Sequence, residues 1–260
     1  MKRELDGEGI KRAVRDHYAQ LALEDGGEPS ERATACCAPE PGAGDPHGLV
    51  EEASACSWGC GDPLATSGVK AGDVVLDVGC GAGADLLPAA RRALPGGRAI
   101  GVDMTPEMLE RARRNAAAAG LANVELRLGD AENLPIADSS VDLVISNCVI
   151  NLAPNKAKVY AEIHRVLRRG GRLSVSDIVS RGMPPSLRKD QSAWSGCLAG
   201  SMEESEYLAA IREAGLANVE IARRVELDEE SVNDLAGRDV SAELQGARAY
   251  SLTITAEKPA

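Results

Sequence analysis

Phenylalanine is absent from the 260 residues, and two Trp with four Tyr bring the aromatic content to only 2%. The core must then be assembled from Leu, Val, Ile and Ala, and a large ring-walled pocket for a planar substrate is disfavoured. No apolar run approaches the roughly 18–20 residues that a membrane span needs. Histidine is scarce, three in all, and no convincing acid–base dyad stands in the sequence; His164 falls on the surface of a helical stretch. Basic charge is outweighed, 29 Lys and Arg against 40 Asp and Glu, for a formal charge of −11. Such a field repels phosphate backbones and anionic headgroups, so neither nucleic acid nor a membrane is an expected partner. The opening residues MKRELDGEGIKRAVRD are charged rather than apolar. No secretory leader is expected there, and the cytoplasm is the expected location. Seven cysteines in that reducing compartment do not make a disulfide framework; they are buried small hydrophobes or a reactive set.

What is present falls into three parts: 1–64, 65–180 and 181–260. Residues 8–24 carry Ile10, Val14, Tyr18 and Leu21 on one helical stripe. Residues 25–64 lose that order around the Pro/Gly-rich loop APEPGAGDPHG (38–48), flanked by cysteines. From residue 69, VVLDVGC (74–80), RAIGVDM (98–104), VELRLGD (124–130), VDLVISNCVI (141–150) and RLSVSDIV (172–179) read as short buried strands. Helices separate several of them. One opens at Thr105-Pro106-Glu107 and ends near Gly120; another spans 155–169 and is closed by Gly170-Gly171. This alternation implies a parallel α/β sheet. Residues 180–200 are irregular, and Ser201 with Glu204 spells a capping box for a helix over 202–214. NVEIARRVEL (218–227) and ARAYSLTITA (247–256) then read as an antiparallel pair at the sheet edge, with 228–246 as acidic, helix-tolerant surface.

The chemistry begins at Asp77-Val78-Gly79-Cys80-Gly81-Ala82-Gly83, which leaves the first strand and turns toward a helix. Glycines there let backbone approach a ligand at the carboxyl end of the strands. With Ala84 the loop also satisfies a relaxed dinucleotide fingerprint, so a nicotinamide enzyme is a competing reading. Asp103, ending the second strand, can accept both ribose hydroxyls of either kind of cofactor. An acid in Gly129-Asp130-Ala131-Glu132 can accept from the exocyclic amine of an adenine. The two late strands depart from an ordinary nicotinamide domain.

DVGCGAG (77–83), GVDMTPEML (101–109), GDAENLP (129–135) and VLRRGGRLSVSD (166–177) resemble the class I S-adenosylmethionine-dependent methyltransferases over about residues 60–256. The resemblance implies a Rossmann-like sheet of seven strands with the last one antiparallel, an N-terminal helical segment and a small C-terminal appendage. It places Asp77, Gly79, Gly81 and Gly83 beside the methionine part, Asp103 at the ribose and Asp130 with Ala131 around adenine, and Met104, Glu132 and Asn147 are expected as further cofactor-binding residues.

Three cysteines stand out by position. Cys60 precedes the first core strand, Cys148 follows Asn147 at the end of the fourth, and Cys197 follows the fifth. In this topology all three approach one edge. The competing readings are small buried side chains, or structural zinc through Cys56 and Cys60 with Cys36-Cys37, although that spacing is no zinc-finger pattern. Cys80, between glycines, reads as a small side chain filling a turn.

ATACC (33–37), WGCGDPLA (58–65), ISNCVINLAP (145–154) and WSGCLAGS (194–201) resemble the arsenite methyltransferases, specifically the shorter bacterial kind. With the cofactor motifs the likeness covers nearly the whole chain, except 38–55 and the tail beyond about 226. Trp58 departs from several members of that family. The resemblance implies that Cys60, Cys148 and Cys197 are thiolates binding As(III) and that Cys36 exchanges disulfides with Cys60, Cys37 being an alternative partner. It also implies an external reductant, glutathione or a thioredoxin-type protein, and arsenite or methylarsenite as substrate. Another methyltransferase acceptor, a small organic molecule, and an arsenic-sequestering protein are the competing functions.

Overall fold

The computed structural model describes residues 6–23, 60–188, 197–244 and 246–260. Cys36, Cys37 and Cys56, the loop 38–48, Trp58 and Trp194 lie outside the described residues.

The strands follow the apolar runs of the sequence. They are β1 (Val74–Val78), β2 (Arg98–Asp103), β3 (Val124–Leu128), β4 (Val141–Asn147) and β5 (Leu167–Arg181), then β6 (Met202–Glu203), β7 (Ala217–Glu226) and β8 (Arg248–Glu257). Their order in the sheet is β3-β2-β1-β4-β5-β8-β7, with β6 paired to the end of β5. β1 to β5 run parallel, while β8 is antiparallel to both β5 and β7. The reversed strand thus enters between β5 and β7 and leaves β7 at the edge.

Helices are α1 (Gly7–Leu23), α2 (Pro63–Thr66), α3 (Leu86–Arg92), α4 (Pro106–Ala118) and α5 (Lys156–Val166), followed by α6 (Pro185–Arg188), α7 (Glu204–Glu213), α8 (Glu229–Ala236) and α9 (Ser241–Leu244). Both faces of the central strands are buried, so successive residues divide between two cores. Leu76, Val78 and Val144 pack with Ile163 of α5 and Ile211 of α7 on one side. Val75, Leu143 and Ile145 pack with Leu86 and Ala90 of α3 on the other. With no Phe to fill these layers, the largest fully buried side chains are Tyr160 and Tyr207, which meet edge to face at 5.8 Å.

Several boundaries differ from the sequence expectation, each for a local reason. The 155–169 helix stops at Val166, because Leu167 already enters β5 and pairs with Val141; Gly170-Gly171 lies inside that strand at an irregularity. The capping box does not form. Met202-Glu203 is drawn into the sheet, Ser201 Oγ donates to Leu198 O at 2.7 Å, and Glu204 accepts from Arg181 and Arg224. The stretch 228–246 holds two helices rather than bare surface: Asp228 accepts from Ser231 N as the N-cap of α8, and Val232 and Ala236 are buried in a cluster that also holds Val14 of α1. No helix among the described residues is long and apolar enough to cross a membrane.

Candidate active site

The sheet order reverses between β1 and β4, and a cleft of about 1030 Å³ opens beyond the carboxyl ends of β1, β2 and β4. Open α/β sheets bind ligands at this position. The floor is the β1–α3 turn. Gly79 adopts φ +76, and a methyl group on it would overlap Val149, so glycine is required twice over.

Carboxylates ring this floor. Asp77 is 3% exposed, and burial, with Asp85 and Asp103 nearby, pushes its pKa well above the ordinary range. Asp85 is pushed up to about 6, chiefly by burial and against the hydrogen bond from Asn147. Asp103 is raised by burial, opposed by hydrogen bonds from backbone N–H groups. Its Oδ1 accepts from Thr105 N at 2.8 Å and its Oδ2 from Gly81 N at 3.0 Å, which fixes the carboxylate and leaves lone pairs on both oxygens. The Thr105 side chain makes no cap hydrogen bond to α4, so Asp103 binds the helix entrance instead. Among the described residues, no cation pairs with Asp77 or Asp103. A buried acidic floor of this kind suits a ligand that brings hydroxyls and positive charge, and S-adenosylmethionine, with ribose, ammonium and sulfonium, meets that description.

Sequence-selected residues distribute unevenly around the cleft. Asp77, Gly79, Gly81, Asp103, Met104, Asp130, Ala131, Asn147 and Cys148 border it. Gly83 and Glu132 do not: Gly83 N closes the turn onto Cys80 O at 2.8 Å, and the oxygens of Glu132 accept from Lys11 Nζ at 2.9 Å and Asn155 N at 2.9 Å. Cys80 is buried, with its sulfur against Gly101.

Lys11, Val14, Tyr18 and Asp85 border the cleft without having been selected from the sequence. The stripe of α1 signalled that one face is buried but not which ligand site it covers. Lys11 Nζ reaches Asp130 Oδ2 at 2.6 Å as well as Glu132 and ties the helix to the end of β3. Tyr18 is half-buried, and its pKa is raised by desolvation and by the nearby Cys197 and Asp103.

The three cysteines meet beside Met104. The sulfurs of Cys60, Cys148 and Cys197 lie within 4.8 Å of one another, all buried, in a cluster packed against Met104 and Tyr18. Cys148 at φ +57 and Cys197 at φ +67 both adopt the left-handed conformation, uncommon outside glycine and concentrated where function holds the backbone. Cys148 N donates to Ser176 O at 2.8 Å, and Cys197 Sγ donates to Cys148 O at 3.1 Å. Gly200 lets the Cys197 segment lie against the Asn151 carbonyl, which a methyl there would overlap. Cys60 and Cys148 are joined as a disulfide with Cα atoms 5.4 Å apart, a pairing the sequence did not point to. The expected exchange between Cys36 and Cys60 falls outside the described residues.

A methyltransferase-domain family model matches residues 69–215. The arsenite methyltransferase of Halobacterium salinarum is 39% identical over 98% of this chain and 68% of its own length. That of Aquipseudomonas alcaligenes is 37% identical over 78% of this chain and 58% of its own length, so this chain spans roughly two thirds or less of these relatives. Among solved structures, an arsenic(III) S-adenosylmethionine methyltransferase from Chlamydomonas reinhardtii superposes with a TM-score of 0.71 at 32% identity, covering 93% of this chain and 74% of that one. The chain belongs to the arsenite methyltransferase family, on a class I S-adenosylmethionine-dependent methyltransferase fold.

Proposed function

We propose that this protein transfers the methyl group of S-adenosylmethionine to trivalent arsenic held by Cys60, Cys148 and Cys197. The observation that carries the reading is the convergence of three buried sulfurs within 4.8 Å of one another, one of which, that of Cys148, belongs to a residue bordering the cleft. Arsenic(III) is soft and prefers thiolate to imidazole or carboxylate. Arsenous acid and three thiols form three S–As bonds and release three waters, with no net proton to dispose of. The lone pair left on arsenic is the nucleophile, so no general base is needed. The cofactor supplies an electrophilic methyl group. The chain's own contribution is positioning: Asp103 for the ribose, Asp130 and Ala131 for the adenine, the glycine turn for the methionine part, and the thiols for the acceptor.

Methyl transfer raises arsenic formally to the pentavalent state. Two electrons return it to the trivalent state as a dithiol with one sulfur still bound to arsenic closes to a disulfide: the S–S bond forms, the S–As bond breaks with its electron pair left on arsenic, and the free thiol loses one proton. By family resemblance Cys36 and Cys60 form that dithiol, and glutathione or a thioredoxin-type protein reopens the disulfide.

The test is arsenic speciation with S-adenosylmethionine, As(III) and excess thiol, beside Cys→Ser variants at 60, 148 and 197. The parent is expected to yield methylated arsenicals, and the Cys148 and Cys197 variants to lose at least about a hundredfold in rate as a ligand is removed. A parent that binds the cofactor but forms no methylated arsenic points instead to a small organic acceptor.

A further inference from the structure

We infer that Asn147 is a positioning residue for the Cys60 thiol, a role in the thiol site rather than in cofactor recognition. The inference rests on the reading of Cys60, Cys148 and Cys197 as arsenic ligands. Asn147 is the last residue of β4 and immediately precedes Cys148. Its side-chain amide faces the chain that brings in Cys60: Oδ1 accepts from Cys60 N at 2.8 Å and Nδ2 donates to Gly61 O at 2.8 Å. The second Nδ2 proton goes to Asp85 Oδ2 at 3.0 Å. A side-chain amide thus pairs with one donor and one acceptor of the incoming backbone, as a neighbouring strand would. Both protons of the amide are used, so Asn147 has no donor left for a cofactor carboxylate although it borders the cleft.

The orientation of the amide is fixed by its partners. Turned over, Oδ1 would face a carbonyl and a carboxylate, and Nδ2 would face an N–H. Asp85, the residue preceding α3, therefore selects the orientation in which Cys60 N finds an acceptor.

The same stretch is held from its other side. Ser251 Oγ donates to Cys60 O, and Gly61 lies so close to Ser176 that an added Cβ would sit 2.8 Å from its hydroxyl. That hydroxyl is in turn bonded to Thr253 Oγ1 at 2.9 Å. Cys148 and Cys197 lie on segments braced to β5, but Cys60 comes from the opposite end of the chain, and Asn147 joins it to the strand that carries Cys148. Holding a third thiol ready raises its effective concentration at an arsenic already bound by two. Without the amide, the third sulfur must be ordered at the moment of binding.

The experiment compares the reduced full-length chain with Asn147→Ala, Ser251→Ala and Cys60→Ser. Three quantities are read: S-adenosylhomocysteine affinity by calorimetry, As(III) affinity with sulfurs per arsenic by X-ray absorption, and alkylation rates of Cys60 and Cys197 by peptide mapping. Asn147→Ala is expected to bind S-adenosylhomocysteine within about threefold of the parent and As(III) about tenfold or more weakly, on the scale of one or two lost hydrogen bonds. Sulfurs per arsenic should fall from three toward the two of Cys60→Ser, and Cys60 alone should alkylate faster. Ser251 lies outside the cleft, so Ser251→Ala should shift the same readouts in the same direction by less, and it decides the matter if Asn147→Ala does not fold. Three sulfurs and parental affinity in Asn147→Ala, or in Ser251→Ala in its stead, overturn the inference, as does a loss of cofactor affinity equal to the loss of arsenic affinity. A parent that binds no As(III) overturns the thiol-site reading itself, which the other outcomes leave standing.

Discussion

At the scale of single residues, burial sets charges that the sequence states only as letters. Asp177 lies in the middle of β5, 1% exposed, where Tyr207 OH donates to Oδ2 at 2.8 Å. Burial pushes its pKa up to about 7, against the Tyr207 hydrogen bond and the nearby Lys156 ammonium, both of which favour the charge. A carboxyl raised in the folded state binds its proton more tightly folded than unfolded. Its contribution to stability therefore falls as pH rises from about 4 through about 7 and is level above that. Asparagine copies the protonated form. Asp177→Asn should raise Tm by less at pH 5 than at pH 8, by about 2–4 °C for each kcal/mol recovered in a chain of this size. An equal change at both pH values would show that Asp177 does not titrate in this window; thermal melts in matched buffers decide. The same scale separates what the sequence could say of the site. Asp77, Asp103, Asp130 and the three cysteines are found from strand ends and motifs, because topology fixes where a strand end points. Asp85 and the amide of Asn147 act through contacts with residues 62 and 87 positions away, which no local pattern encodes.

At the scale of elements, α1 is the part whose role was least legible. Its apolar stripe predicts a helix, and Gly7–Leu23 is one, but the stripe covers the cofactor cleft instead of merely capping a core. Lys11 holds this cover through Asp130 and Glu132, with a pKa raised by those two hydrogen bonds against the effect of its burial. An ion pair half open to water is worth about 0.2–1 kcal/mol, and a double one somewhat more. Lys11→Met should therefore speed release of S-adenosylhomocysteine by about three- to fivefold in stopped-flow displacement, with little change in global stability. An unchanged rate would mean that α1 stays in place without Lys11. The strands β1 to β4, by contrast, are legible to within two or three residues, since short apolar runs admit little else, whereas β5 begins five residues before its expected start. The missed boundaries share one cause. Leu167, Met202 and Glu203 carry helical signals locally but lie where the edge of the growing sheet takes them as strand, so tertiary pairing overrides local propensity. The helix α8 was missed because its apolar residues are few, yet Val232 and Ala236 suffice to seat it on the cluster beneath the thiols.

At the scale of the whole molecule, charge joins fold to turnover. The formal charge is −11, and the cleft concentrates carboxylates at Asp77, Asp85 and Asp103, with Lys11 as a counter-charge beside Asp130. The two forms of the cofactor differ in this field. S-adenosylmethionine carries one net positive charge from its sulfonium, whereas S-adenosylhomocysteine, having lost the methyl group, is neutral overall. A negative field focused in a low-dielectric cleft draws in the cation and has no net pull on the product, which favours exchange after each turnover. Salt tests this directly, because surface charges more than a Debye length apart are screened, and that length shrinks from about 30 Å at 0.01 M to about 8 Å at 0.15 M. The association rate of S-adenosylmethionine should fall several-fold over that range while that of S-adenosylhomocysteine stays nearly constant, both measured by stopped-flow displacement of a labelled analogue. Arsenous acid is uncharged at neutral pH, so As(III) binding should be as insensitive as product binding and serves as the internal control. Equal salt slopes for the two forms of the cofactor would confine the role of the acids to contacts inside the cleft. A steeper slope for the charged form means that the excess of acid over base, distributed over the whole surface, contributes to the order in which substrate enters and product leaves.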